Sequence, residues 1–178
     1  MQEVKAMLKL LGASLIILAG TLSGMQLGGY LAHRPLQIRQ LRTGLTLLET
    51  EIIYGSRPLP EALASISRRL TGSGARLFSR TAEILAQEPE WPASECWHSA
   101  VQQVWPKTAL KGPEKDIVLQ LGSVLGQSDR EDQRKHIRLA CANLEHEEAS
   151  ARDNQQRYEK MCRSLGVLSG ILLVILLY

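Results

Sequence analysis

The residues best suited to acid–base or metal chemistry lie together at His146, Glu147 and Glu148. A helical zinc site of the HExxH type needs two histidines four residues apart, and that pattern is absent. The other candidate ligands have no partners at useful spacing and form no CxxC pair: His33, His98, His136, Cys96, Cys141 and Cys162. Neither a GxxxxGK[ST] nor a GxGxxG phosphate loop is present. The sequence therefore predicts no catalytic residue, no metal and no cofactor, and it indicates a protein that is not an enzyme.

The densest run of polar and charged side chains is Ser128–His136. Ser128 and Glu131 have the spacing of a capping box, in which a hydroxyl and a carboxylate satisfy unpaired amides at a helix start. This interpretation makes the run the solvated beginning of a helix. The sharper interpretation is a docking surface for a partner protein, and the run alone does not choose between the two.

Apolar residues at helical spacing fill the middle of the chain. From Ile38 to Ile52 they recur at steps of 3 and 4, which is one continuous stripe on a helix. Similar patterns predict helices at about 59–70, 75–87, 93–105 and 114–125, with a turn at Thr71–Gly74, and a long helix from Ser128 onward. No period-two strand pattern competes. We expect an all-α fold, an antiparallel bundle of about six helices.

Two uncharged segments flank this domain. Leu10–Ala32 would span roughly 34 Å as a helix, enough for the core of a bilayer. Ser164–Tyr178 would span only about 22 Å, and the last helix would run into it without a break. The predicted organisation is an N-terminal flank at 1–9, a transmembrane helix at 10–32, a helical domain at 33–163 and a C-terminal transmembrane helix at 164–178.

Charge and small residues refine the membrane prediction. Gly20, Gly24, Gly28 and Ala32 recur every fourth residue, which favours a close helix–helix contact within the protein or between copies. Seven Lys and Arg residues lie on the inner flanks and two on the outer, which predicts a cytoplasmic central domain. The net charge of +3 is too small to give the basic field of a nucleic-acid-binding protein, so we expect no nucleic-acid partner.

Three segments resemble a known family, the stage III sporulation protein AB family. The first comprises Leu47–Ile52, Tyr54 and Pro58–Leu63. The second comprises Leu121–Gly122, Leu125–Gly126, Ser128–Gln133 and His136–Ile137. The third comprises Lys160–Met161 and Ser164–Gly166, ahead of the apolar tail. They occur in order across nearly the whole chain, and the second is long enough to be specific.

The resemblance implies a role in endospore-forming bacteria, in a complex that joins mother cell and forespore across two membranes. The family's soluble domain is similar to the cytoplasmic domain of the inner-membrane platform protein of type II secretion and type IV pilus systems. By that analogy the chain would anchor the apparatus in the mother-cell membrane around the forespore. It would also engage a cytoplasmic secretion-type ATPase. The resemblance carries no catalytic residues to transfer.

Packing explains the apolar stripes, but it does not explain the many charges in the first two segments. We therefore expect partner contacts at six residues: Glu49, Glu51, Arg130, Glu131, Asp132 and Arg134. Two alternative functions remain at this point. One is a membrane protein that senses a metal or another ligand near His146, and the other is a homo-oligomeric channel component built on the glycine face.

Overall fold

The computed structural model describes residues 33–55, 57–126 and 128–177, and in these residues every regular element is helical. The α-helices are α1 His33–Tyr54, α2 Leu59–Arg69, α3 Gly72–Gln87, α4 Ala93–Val104, α5 Gly112–Gly122 and α6 Arg130–Leu177. A 3-10 turn, Trp105–Lys107, follows α4. The prediction of an all-helical domain of about six helices is confirmed.

The chain divides into two compact units. The larger unit covers residues 34–151 and contains α2 to α5 with most of α1 and the first part of α6. The described part of the other unit is His33 and residues 152–177. The core and both grooves described below belong to the larger unit.

The stripe on α1 faces the core as its spacing predicts. Ile38, Leu41, Leu45 and Leu48 are all at most 1 % exposed. Ile52, the last residue of the stripe, is only partly buried and packs against the edge of the core. Removal of such apolar surface from water, at about 25 cal/mol per Å², is the main force that holds α1 in place.

Trp97 of α4 lies at the centre of the domain, with no exposed surface. Its indole N–H donates a 2.8 Å hydrogen bond to the carbonyl of Val118 in α5. Its ring meets the Phe78 ring of α3 edge-on, with centroids 5.8 Å apart. A Cβ on Gly122 would overlap Cδ1 of Trp97, so only glycine lets α5 approach the indole this closely.

Ion pairs join α1 to α6. Arg34 contacts the carboxylates of Glu114 in α5, at 2.6 Å, and Glu147 in α6, at 3.1 Å. Arg42 contacts Glu148 at 2.8 Å and Glu145 at 2.9 Å. Glu114 is fully buried, and its second oxygen accepts the backbone N–H of Lys111 at 2.8 Å. A buried carboxylate persists only when its oxygens are satisfied in this way.

Three helix boundaries differ from the sequence prediction. Helix α3 begins at Gly72, inside the predicted turn, because Ser73 and Gly74 are buried and Gly74 lies against the backbone of Gln40. Helix α5 covers 112–122 instead of 114–125, and it is followed by a turn that ends at Gly126, with φ +76°.

The predicted capping box at Ser128 and Glu131 is wrong. The amide of Asp132 donates to Oδ1 of Asp129 at 2.7 Å, so the cap lies one residue later. The Ser128 hydroxyl instead donates to the carbonyl of Val124. Aspartate and serine are about equally good caps, so the sequence alone does not choose between neighbouring candidates.

A search of the described residues finds no helix with the length and apolar character needed to cross a membrane. The predicted C-terminal transmembrane helix at 164–178 is therefore not supported, and its uncharged length is short of the roughly 20 residues that a span requires. The predicted N-terminal helix at 10–32, with Gly20, Gly24, Gly28 and Ala32, lies outside the described residues.

The buried ion pair can be tested by substitution. Arg34→Met should lower the free energy of unfolding by about 3 kcal/mol, because the buried carboxyl group of Glu114 would lose its counter-ion. The measurement is equilibrium unfolding in urea. Arg138→Met, which removes an arginine whose side chain is 59 % exposed, should cost at most about 1 kcal/mol. Arg34→Met combined with Glu114→Leu should recover most of the loss, and no recovery would contradict the account.

Candidate functional site

A groove of about 210 Å³ lies where the end of α1, the start of α2 and the start of α6 meet. We call it the signature groove, because residues of the first two family-like segments line it together. Its lining is Leu48, Glu51, Ile52, Gly55, Arg57, Leu59, Ala62, Gly126, Arg130 and Gln133. Glu51 and Arg130, two of the six predicted docking residues, thus share one site although they are far apart in the chain.

Local structure fixes the walls of the groove. The Gly55 amide donates to the Glu51 carbonyl at 2.9 Å, and α1 ends one residue earlier, at Tyr54. Gly126 adopts a left-handed conformation that L side chains disfavour, and it turns the chain toward α6. The cap at Asp129 then places Arg130 in the first helical position of α6. The side-chain amide of Gln133 is fixed by the Ser128 carbonyl at 2.8 Å.

The groove has an apolar floor and a charged rim. Leu48 and Ala62 in the floor are buried, whereas Glu51 is half-buried and Arg57 and Arg130 are exposed. In the described part of the chain, the side chains of Glu51 and Arg130 make no hydrogen bond or ion pair. Arg57 makes a long hydrogen bond, 3.4 Å, to the hydroxyl of Ser65. Charges of both signs are therefore available around an apolar centre, which suits recognition of a protein segment.

Three other predicted docking residues belong to an ion-pair cluster beside the groove. Glu49 Oε1 accepts the Nε–H of Arg138 at 2.7 Å and lies 3.5 Å from Nε of Arg134. Arg134 also contacts Glu131 at 3.3 Å. The hydrogen bond and charge of Glu131, with a smaller contribution from Glu49, raise the pKa of Arg134. Glu49 and Arg134 thus join α1 to α6.

The last predicted docking residue, Asp132, is half-buried and lies 3.8 Å from Nε2 of His136, one turn further along α6. The structure thus brings Glu51 and Arg130 together in the groove and gives Glu49, Glu131, Asp132 and Arg134 neighbours within the chain. Sequence reasoning did not select Arg57 and Gln133. Gln133 stands in the second family-like segment, and Arg57 directly precedes the Pro58–Leu63 part of the first.

Two carboxylates near His146 form ion pairs with arginines of α1. Glu147 contacts Arg34, and Glu148 contacts Arg42. Among residues 33–55, 57–126 and 128–177, no three His, Cys, Asp or Glu side chains group closely enough to hold a metal ion.

Two of the three cysteines can be described, and both are free thiols. Cys96 is buried and Cys141 is half-buried. Burial raises the pKa of both thiols. They therefore behave as small apolar side chains with low nucleophilic reactivity.

Comparisons with known proteins identify the family. The family model for stage III sporulation protein AB matches residues 9–178. The chain is 42 % identical over 171 residues to stage III sporulation protein AB of Bacillus subtilis (strain 168), an alignment that covers 96 % of this chain and 99 % of that protein. A solved structure of a stage III sporulation protein AB is similar at 39 % identity and a TM-score of 0.67, and the match covers 70 % of this chain and 98 % of that one. The chain belongs to the stage III sporulation protein AB family, and the resemblance inferred from its three segments is confirmed.

Substitution of two nearby glutamates of α1, Glu49 and Glu51, distinguishes a role in the stability of the bundle from a role in docking. Glu49→Gln should lower the free energy of unfolding by about 1 kcal/mol, because it weakens the charge-assisted hydrogen bond from Arg138. Glu51→Gln, two residues further on, should change it by less than about 0.5 kcal/mol, since no ion pair is lost. Urea unfolding of both variants makes the comparison. Equal losses would show that Glu51 also stabilises the bundle.

Proposed function

We propose that this chain is a non-enzymatic platform component of a secretion-like sporulation complex, and that its signature groove docks a cytoplasmic ATPase of that complex. One observation carries the proposal. Glu51 and Arg130 come from two separate family-like segments, line one groove and have no partner in the described chain. Charged side chains that have no partner within the fold are available for contacts with another protein. Membership of the sporulation family supplies the setting.

The groove favours a protein partner over a small metabolite. It is open, and its lining combines the buried side chains of Leu48 and Ala62 with the charged side chains of Glu51, Arg57 and Arg130. Apolar contact at the floor would contribute affinity, while opposed charges on the rim would fix the orientation of the partner. We therefore assign the groove to a segment that carries an apolar side chain between a basic and an acidic one.

The proposed platform role also requires that the chain be anchored in a membrane. We place the uncharged segments Leu10–Ala32 and Ser164–Tyr178 in the mother-cell membrane around the forespore, with the helical domain in the cytoplasm. The support is the absence of charge in both segments and the excess of Lys and Arg on their inner flanks. Other proteins of the sporulation complex would join it there, and further copies of this chain could contact it through the glycine face.

Docking can be tested by reversing the two unpartnered charges. Glu51→Lys combined with Arg130→Glu should abolish copurification of the ATPase and block sporulation, because both rim contacts would become repulsive. The melting temperature should stay the same, since neither residue is paired within the described chain. Lys135→Glu, an exposed charge on the same helix outside the groove, is the control and should bind normally. Normal ATPase recovery with the double variant would overturn the docking proposal.

The membrane topology can be tested by labelling a cysteine placed at an exposed position of the helical domain. With a membrane-impermeant thiol reagent, Ser123→Cys should label only from the cytoplasmic side, and a cysteine added after Tyr178 only from the other side. Intact cells and inverted membranes provide the two sides. Native Cys96 should remain unlabelled until the protein is denatured, because it is buried and its pKa is raised. Labelling of Ser123→Cys from outside would place the domain away from the ATPase and refute that partnership.

A further inference from the structure

A second groove, on elements that the signature groove does not use, lies between α3 and the end of α4. It encloses about 270 Å³, and we call it the basic groove. Its one carboxylate, Glu83, is already bound by Arg80 at 2.9 Å and by the hydroxyl of Ser79 at 3.1 Å. The other charged residues of its lining are Arg76 and Lys107, so the groove carries an excess of positive charge.

Three cations in and beside the basic groove are not compensated by the fold. Arg76 is exposed and donates only a long hydrogen bond, 3.4 Å, to the carbonyl of Lys107. Lys107 and Lys111 are exposed, and neither ammonium group makes an ion pair in the described part of the chain. Between positions 105 and 115 the one acid is Glu114, which is buried and paired within the bundle; the acid that follows, Asp116, is a single charge against three. These three cations, which we call the basic patch, are available to an anionic partner.

The basic patch lies at the end of the domain where α1 begins. The backbone N–H of Ala109, which stands between the two lysines of the patch, donates to Oε1 of Gln37 at 2.8 Å. Gln37 is the fifth residue of α1 and lies only about 6 Å along the helix from the first. The backbone N–H of Lys111 donates to Glu114, the carboxylate that pairs with Arg34. The loop that carries the two lysines is therefore held against the first turns of α1.

The opposite end of the domain carries unpaired acidic residues. Helix α3 starts against α1 and rises about 24 Å over its 16 residues. The loop after it carries Glu88 and Glu90, and Glu95 follows in α4; none of the three makes an ion pair in the described part of the chain. A Cβ on Gly126, which lines the signature groove, would lie 3.2 Å from that of Ala93 at the start of α4. The acidic residues and the signature groove thus share one end of the domain, and the basic patch lies at the other.

We propose that the basic patch binds the phosphate headgroups of anionic lipids in the membrane that anchors the chain. With Leu10–Ala32 in that membrane, as the proposed function has it and on which this inference rests, His33 follows the span directly and the start of α1 lies at the membrane surface. The cytoplasmic leaflet is negatively charged, and each Lys or Arg close to it strengthens binding by a factor of about five.

The contact has a consequence for docking. The surface charge that attracts the basic patch repels the acidic residues at the other end of the domain. The domain is therefore held with the start of α1 toward the lipid. The signature groove, at the far end, stays open to the cytoplasm, where a soluble partner can reach it.

Lysine labelling tests the contact in the full-length chain. The chain is reconstituted in nanodiscs of phosphatidylcholine alone or of phosphatidylcholine with phosphatidylglycerol, treated with a water-soluble acetylating reagent and analysed by mass spectrometry. In the anionic nanodiscs the labelling of Lys107 and Lys111 should fall at least about fivefold, and high salt should restore it. Lys135, an exposed lysine of α6 at the other end of the domain, is the internal control and should be labelled equally in both.

A charge-reversed variant shows whether the protection depends on the patch. Arg76→Glu with Lys107→Glu should abolish the protection of Lys111 in the anionic nanodiscs, because one cation remains beside two acids. The melting temperature should not change, since both substituted residues are exposed. Lys135→Glu is the matched control and should leave the protection of Lys107 and Lys111 intact. Protection that persists in the double variant would overturn the proposal, because it would not arise from headgroup charge.

Other outcomes separate this contact from the proposed function. Equal labelling of Lys107 and Lys111 in both kinds of nanodisc would overturn the lipid contact and leave the anchoring and the ATPase docking untouched. Protection by free glycerol phosphate in phosphatidylcholine nanodiscs would also overturn it, because a soluble phosphate would then be the ligand. A chain that does not enter nanodiscs would refute the anchoring itself and, with it, this contact.

Discussion

The position of α1 in the bundle depends on buried ion pairs with α5 and α6, in addition to its apolar stripe. Arg34 compensates the fully buried carboxylate of Glu114 and at the same time contacts Glu147. Arg42 makes similar contacts with Glu145 and Glu148. Because a buried charge without a partner is very unfavourable, the pairs of Arg34 with Glu114 and of Arg42 with Glu148 favour one register of α1 against α5 and α6. Apolar stripes alone tolerate sliding, whereas fixed ion pairs do not.

This register also creates the signature groove. Once α1 and α6 are aligned, the end of α1 faces the start of α6, and Glu51 comes to the same surface as Arg130. The charged residues near the groove then fall into two groups. Glu49, Arg134 and Arg138 form ion pairs within the bundle, whereas Glu51 and Arg130 form none in the described part of the chain. Charge in a sequence segment is therefore not a measure of docking until the pairs within the chain are known.

The sequence was sufficient to predict the helical class and the buried face of α1, because periodicity depends only on neighbouring residues. It also indicated the family through three ordered segments. It failed at the cap of α6, where Ser128 and Asp129 are chemically similar and packing decides between them. It placed six charged residues in one docking set, because spacing along a chain does not reveal that Glu49 meets Arg138. Arg57 enters the groove only through the fold of α2 against α1 and α6.

The close approach of Gly122 to Trp97 has a consequence for how this domain can diverge. Any side chain at position 122 would overlap the indole, and the indole is held by Val118 and Phe78. The two positions must therefore change together, with a larger residue at 122 tolerated only when the aromatic ring at 97 becomes smaller. Sequences of relatives should show this pair as a coupled substitution. The glycine at position 122 of the second family-like segment would then be required by the packing of the core.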